Sequence, residues 1–300
     1  MSSAKDWISA FRLRTLFLAV SSVILGSSLA WSEGMFSVAT FILALVLAVS
    51  AQILSNLAND LGDFQKGTDT TGNRKGPVRA VQSGHITANK MKRAVIIMAL
   101  WVAAIGSILL LSVIYEIGLK SVLILLFIGM FCILAAICYT LGKHAYGYRG
   151  WGDFFAFIFF GPVPVIGTYF LQVHSLDFKP ILPSIGLGLI STAILNINNM
   201  RDIENDLTAG KITIASKLGL KKAKIYHTLL IVLMCVCFLS YSFIYATAPW
   251  YRYLYVLTFL FPLKILIEIY SKSGKDLDPY LKQTSFFSLL LVVVFSVSIN

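Results

Sequence analysis

Charge is scarce in this chain. Only 13% of its 300 residues are charged while 57% are hydrophobic, which leaves too little polar surface to cover a soluble domain of this length. Cysteine and histidine are equally sparse, four of each, and neither type falls at the spacing of a zinc module. Cys132, Cys138, Cys235 and Cys237 all lie inside apolar runs and read as buried, reduced thiols. His85, His144, His174 and His227 are scattered through loops and run ends, which argues against a histidine metal centre. With soluble folds, disulfide frameworks and zinc sites set aside, what remains is long apolar sequence.

Runs long enough to cross a bilayer, about 20 residues each, occur near 15–32, 37–58, 94–114, 119–139, 154–172, 180–199, 225–245, 250–270 and 284–299. Lipid offers backbone groups no partners, so this pattern predicts an all-α, polytopic bundle of nine transmembrane helices. Arg12 and Arg14 before 16–20 mimic a secretory signal. The stretch from Trp7 to Arg14 instead reads as an interfacial helix leading into an uncleaved first span.

The net charge of +11 is a topology signal rather than a nucleic-acid footprint, so no nucleic-acid partner is expected. Lysines and arginines concentrate in the N-terminal tail and after the second, fourth, sixth and eighth spans, while the opposite loops hold only Lys120, Lys179 and Arg252. The positive-inside rule then places the N-terminus inside and the C-terminus outside, in a cytoplasmic membrane whose lipid is the surrounding partner.

Two acid-rich segments interrupt this greasy background, Asn59 to Asp69 and Asn198 to Asp206. A carboxylate at mid-bilayer costs roughly 2.5–3.5 kcal/mol on insertion scales, so both segments should face a watered cavity or lie beyond the hydrocarbon. Asn59-x-x-x-Asp63 is echoed by Asn198-x-x-x-Asp202 four spans later, in the same orientation. The chain therefore reads as one domain of two parallel pseudo-repeats, about 1–140 and 150–270, with a last helix at 284–299. Residues four apart share a helical face, so Asn59 points with Asp63, and Asn198 with Asp202 and Asp206. Oxygen donors without thiol or imidazole suit Mg²⁺, and two patches across a cavity would hold two ions with a diphosphate bridging them. The plain alternative for such patches is a pair of solvated helix caps. Lys66, Arg74, Lys75 and Arg79 follow the first segment, and Arg201, Lys211 and Lys217 lie in or after the second; Arg79 and Arg201 stand out as phosphate contacts.

These motifs, with 7–16, Gly76-Pro77-Val78-Arg79, Gly147-Tyr148-Arg149-Gly150 and 209–213, closely resemble the UbiA-type intramembrane prenyltransferase superfamily, and its 1,4-dihydroxy-2-naphthoate branch in particular. The resemblance implies nine helices around a central cavity. It implies metal ligation by Asn59, Asp63, Asp69, Asp202 and Asp206, and catalytic parts for Asp60, Asp63, Lys143 and Arg149. Asn56, Lys66, Arg79, Tyr139, Tyr148, Asn198, Arg201 and Lys211 then become substrate-binding candidates. Tyr139-x-x-x-Lys143 resembles a further family motif, with both side chains on one face if the helix continues past Gly142. Gly67 departs from the pattern, standing where many members carry the last acid of the first motif, with Asp69 two residues on.

The implied reaction joins a polyprenyl diphosphate to 1,4-dihydroxy-2-naphthoate with loss of diphosphate and carbon dioxide, giving demethylmenaquinol. Alternatives are a related prenyltransferase acting on 4-hydroxybenzoate, haem or chlorophyllide, and a cation-coupled transporter. Against the transporter, the acids cluster at span ends rather than at the midplane of inverted repeats.

Overall fold

A backbone surrounded by lipid satisfies itself by closing into helices, and this chain does so almost throughout. The computed structural model describes residues 3–69, 71, 75–245 and 250–300. Its helices are α1 (Ala4–Phe11), α2 (Leu16–Trp31), α3 (Val38–Gln65), α4 (Ala88–Ser112), α5 (Ile114–Cys138), α6 (Gly152–Phe160), α7 (Pro162–Val173), α8 (Ile181–Arg201), α9 (Ile203–Thr208), α10 (Ile214–Tyr245), α11 (Leu260–Ser271) and α12 (Asp278–Ile299). Among the described residues, nine helical stretches are long and apolar enough to cross a membrane. The protein is a multi-pass membrane protein, with α1–α2 and α6–α7 each forming one crossing.

Polar caps mark several helix starts. Ser37 accepts from the Thr40 amide at 3.3 Å and Thr87 from the Lys90 amide at 3.4 Å, while Pro162 and Pro279 occupy the first turns of α7 and α12. Two helices exceed the apolar runs that announce them. The run ends near residue 58, yet α3 continues to Gln65 and carries the first acid segment on the helix itself. α10 begins at Ile214, a kink at Gly219 separating its polar first turn from the apolar span.

Several apolar cores hold the helices together. Leu54, Leu57, Leu61, Met91 and Val95 form a core joining α3 and α4, sealed by Ala10 of α1. Leu25, Val165, Tyr169, Leu187, Ile190, Phe238, Phe287 and Phe295 join α2, α7, α8, α10 and α12 into a second. Without a hydrophobic drive between helices in lipid, close approach supplies the attraction. At Gly161 an added Cβ would fall 2.6 Å from the Gly188 Cα, so the α6–α7 break sits directly on α8. α5 and α10 turn much of their surface outward, exposing Phe127, Leu134, Leu229 and Leu233. That corrects the expectation of buried thiols: Cys138 is exposed and Cys132, Cys235 and Cys237 are half-buried, because they lie on these outward-facing helices.

Candidate active site

A cavity of ≈ 1060 Å³ draws its wall from α1 through α8 and from α12. Its deep part is apolar, lined by Leu109, Leu125, Phe155, Phe159 and Leu171. Its other end is polar, with Asn56, Asn59, Asp60, Asp63, Asn198 and the cations Arg12, Arg14, Arg79, Arg201 and Lys211.

The first acid segment ends α3 with a two-bond stop. The Gly67 amide donates to the Phe64 carbonyl at 3.1 Å and the Thr68 amide to the Asp63 carbonyl at 3.0 Å, a Schellman motif. Gly67 sits at φ +76°, where an L side chain is strained, so glycine rather than an acid suits this position. The turn leaves Asp69 buried close to α3. Arg79 closes the group: Nη1 pairs with Asp63 and donates to the Asn59 carbonyl at 2.8 Å, while Nε lies 3.4 Å from Asp69 Oδ1. Burial opposes the Arg79 charge, but Asp63, Asp69 and Asp60 outweigh it and hold its pKa above the ordinary value. The Asn59 amide oxygen accepts from Thr140 Oγ1 at 3.3 Å, an approach open only because Gly62 lacks a Cβ.

The second segment is built differently up to the same stop. α8 ends at Arg201, Asp202 interrupts the helix at φ −107°, and α9 follows. The Gly210 amide then donates to the Leu207 carbonyl at 3.1 Å and the Lys211 amide to the Asp206 carbonyl at 2.7 Å, with Gly210 at φ +68°. The sequence echo sets Asp202 against Asp63, whereas these matched stops set Asp206 against Asp63 and shift the correspondence by one helical turn. Arg201 is buried and grips Asp202 with two nitrogens, Nε at 3.1 Å from Oδ1. Its other contacts are Asn198 Oδ1 at 2.9 Å and Asp278 at the start of α12. Lys211 Nζ lies 3.5 Å from Asp206 Oδ1, while Asp206 Oδ2 is buried with no hydrogen-bond partner among the described residues. Burial, with the charges of Asp202 and Asp63, pushes the Asp206 carboxyl up to about 6 against the pull of Lys211.

Tyr148 ties the segments together. Its hydroxyl donates to Asp63 Oδ1 at 2.6 Å, its carbonyl accepts from the Ile212 amide at 3.1 Å, and Lys66 and Lys211 lie over its ring at 4.9 and 5.8 Å. Burial and the neighbouring Asp63 charge raise the Tyr148 pKa, which keeps the hydroxyl a donor. Asn205 adds a second tie, donating to the Thr68 carbonyl at 3.2 Å.

The UbiA prenyltransferase family matches residues 19–291. A Haemophilus influenzae protein named 1,4-dihydroxy-2-naphthoate octaprenyltransferase is 42% identical over 299 residues, 98% of this chain and 96% of its own. The chain belongs to the UbiA prenyltransferase family. Among solved structures, the apo UbiA homologue from Aeropyrum pernix K1 shares the fold with a TM-score of 0.68, at 15% identity, over 94% of this chain and 96% of its own. The UbiA homologue from Archaeoglobus fulgidus bound to DMAPP and Mg²⁺ gives 0.61 at 14% identity, over 97% and 99%.

Within this UbiA fold the residues named from sequence separate into three groups. Asp63, Asn59, Arg79, Asn198, Arg201, Lys211 and Tyr139 line the cavity, and Asp69, Asp202 and Asp206 are buried behind it, each paired with a lining cation. Asp60 and Asn56 also line it, but their polar groups are engaged in holding the fold. The Asp60 carboxylate accepts the Ala80 and Val81 amides at 3.2 and 3.3 Å, and Asn56 donates to the Phe11 carbonyl at 2.9 Å and Thr15 at 3.0 Å. Lys66, Lys143, Tyr148 and Arg149 stand outside the wall. Tyr139 and Lys143 share no helical face, because α5 ends at Cys138 and the chain turns at Gly142 with φ +87°. Lys143 is exposed, and the exposed Arg149 contacts His144 at 2.7 Å. Arg74 lies outside the described residues.

Sequence reasoning missed Thr140 and Asp278, which lie far along the chain from the motifs they support and carry no local signal. A hard divalent cation fits the donor set. The donors that the motifs present are carboxylate and amide oxygens, and among the described residues the buried Asp206 Oδ2 has no hydrogen-bond partner. Among the described residues no three His, Cys, Asp or Glu converge on one point, so the acids alone do not form a complete metal cage.

Proposed function

We propose that this protein transfers a polyprenyl group from polyprenyl diphosphate to 1,4-dihydroxy-2-naphthoate, releasing diphosphate and carbon dioxide and giving demethylmenaquinol. The observation that carries the reading is the pairing of a full-length relative of that name with a cavity whose polar end holds acids and cations and whose depth is apolar. The prenyl tail lies along Phe155, Phe159 and Leu125, and the diphosphate meets Arg79, Arg201 and Lys211. Asp63 and Asp69, and Asp202 and Asp206, would hold Mg²⁺, with Asn59 beside the first pair. When bound, the cation neutralises diphosphate charge and favours its departure.

The C–O bond to diphosphate breaks with its electron pair leaving on oxygen, and the electron-rich ring attacks the allylic carbon. Attack at the carbon bearing the carboxylate, followed by loss of carbon dioxide, returns the electron pair to the ring without removal of a ring proton. No general base is needed, in keeping with an Asp60 carboxylate engaged by two backbone amides. The apolar walls keep water from the allylic carbon.

The matched stops after Asp63 and Asp206 support a parallel duplication of the chain, and the lysine and arginine distribution supports an inner membrane with the acid end and N-terminus cytoplasmic. The test is mass spectrometry of products from purified protein in liposomes, given a polyprenyl diphosphate and the naphthoate with Mg²⁺ or chelator. A Mg²⁺-dependent, decarboxylated, prenylated naphthoquinol is expected; product only with another aromatic would discard this acceptor, and no product with any acceptor would discard the reaction.

A further inference from the structure

Each cavity-lining arginine of the acid motifs contacts two carboxylates. For Arg79 both belong to the motif, Asp63 and Asp69. For Arg201 only Asp202 does, and the other, Asp278, comes from the first turn of α12, 77 residues beyond Arg201. The Arg201 side chain is 2% exposed, and among the described residues these two carboxylates and Asn198 are its side-chain partners. If Asp202 is to ligate a metal ion, its carboxylate must leave a two-nitrogen grip, and a buried guanidinium deprived of its counter-charge is strongly unfavourable. A second carboxylate already in contact removes that obstacle. Asp278 is half-buried at 28% exposure and also meets Arg14 at 3.4 Å, so it stands where it can take more of Arg201 without itself being uncovered.

We propose that Asp278 is a positioning residue of the second acid motif, the carboxylate that retains Arg201 while Asp202 turns to a metal ion. The inference rests on the metal reading under Proposed function. It assigns to α12, which carries neither acid motif, control over metal affinity. Asp278 acts through Arg201 and not by ligation.

The test is Mn²⁺ binding to the purified full-length protein, read by electron paramagnetic resonance so that turnover and acceptor identity do not enter. Asp278→Asn is expected to weaken Mn²⁺ binding about tenfold, and Asp278→Glu to restore it. Arg14→Gln breaks only the outer contact and leaves Asp278 wholly to Arg201, so no loss is expected there. Glu204→Gln, an exposed charge two residues from Asp202, gauges the effect of charge alone and is expected to move affinity less than about twofold. Mn²⁺ binding by Asp278→Asn equal to wild type would overturn the inference. So would an equal loss in Arg14→Gln, which marks a structural brace and decides the matter even where Asp278→Asn does not fold. Absence of binding to the wild-type protein would overturn the metal reading itself, whereas wild-type binding unchanged by Asp278→Asn overturns only the role of Asp278.

Discussion

At the first acid motif the helix runs unbroken to its stop, and one arginine from a following loop spans both Asp63 and Asp69. At the second, the helix breaks at Asp202, and Asp202 and Asp206 are held by different cations, Arg201 and Lys211. The stops that end the two motifs are nevertheless the same pair of backbone bonds around a left-handed glycine. The shared part therefore sets where a carboxylate sits, and the differing part sets how firmly it is held. Asp63 is locked by Arg79 and Tyr148 together, whereas Asp206 keeps a buried oxygen that has no partner among the described residues. The first motif is the side of the cavity whose two acids share one arginine, and the second the side whose acids each have a cation of their own.

The sharpest way to break this comparison is to remove one acid from each motif. Asp63→Asn and Asp202→Asn should each lower turnover in liposomes by about 10²–10³-fold, the scale of losing one charge-stabilising contact in a reaction centre. Normal turnover in both would refute the two-sided site. Next in size is Tyr148→Phe, which removes a hydrogen bond to a buried carboxylate on the first side alone. About a tenfold loss in kcat/KM is expected, with thermal stability in detergent reporting any accompanying loosening. An unchanged kcat/KM would mean that Arg79 alone fixes Asp63.

The stops test the shared part. Gly67→Ala and Gly210→Ala each force a Cβ into left-handed backbone, at about 1–2 kcal/mol, and an added Cβ at Gly210 meets no atom within 4 Å, so backbone strain is its whole effect. Similar downward shifts in unfolding temperature are expected, and a loss at only one glycine would show that the stops are not equivalent. These glycines also mark the boundary of what the sequence discloses. Spans, all-helical class, acid motifs and the cations beside them are legible because each is a local pattern of hydropathy or spacing. Gly67 looks like a defect in a metal motif until the backbone shows that it turns Asp69 inward. Asp278 and Thr140 are illegible for another reason: Asp278 meets Arg201 only through helix packing, and Thr140 meets Asn59 across a gap opened by a missing Cβ at Gly62.

The smallest expected effect falls on a residue that spacing alone places in the chemistry. Lys143 follows Tyr139 by four, and on a continued helix the two would present one face to a departing diphosphate. The helix does not continue, since α5 ends at Cys138 and Gly142 takes a left-handed conformation that sends Lys143 to the exposed surface. Tyr139 stays on the cavity wall, edge-on to Tyr146 at 5.3 Å, while the wall's cations beside the acid motifs include Arg79, Arg201 and Lys211. An exposed lysine without a role in packing contributes little to stability, within about 0.5 kcal/mol. Lys143→Ala should accordingly leave kcat and the KM for polyprenyl diphosphate within about twofold of wild type, while Lys211→Ala, which also strips Asp206 of its cation, raises that KM and lowers kcat. If the order reverses, the loop from Leu141 to Tyr146 closes over the diphosphate during turnover, and the first side of the cavity gains a moving part that its fixed acids do not require.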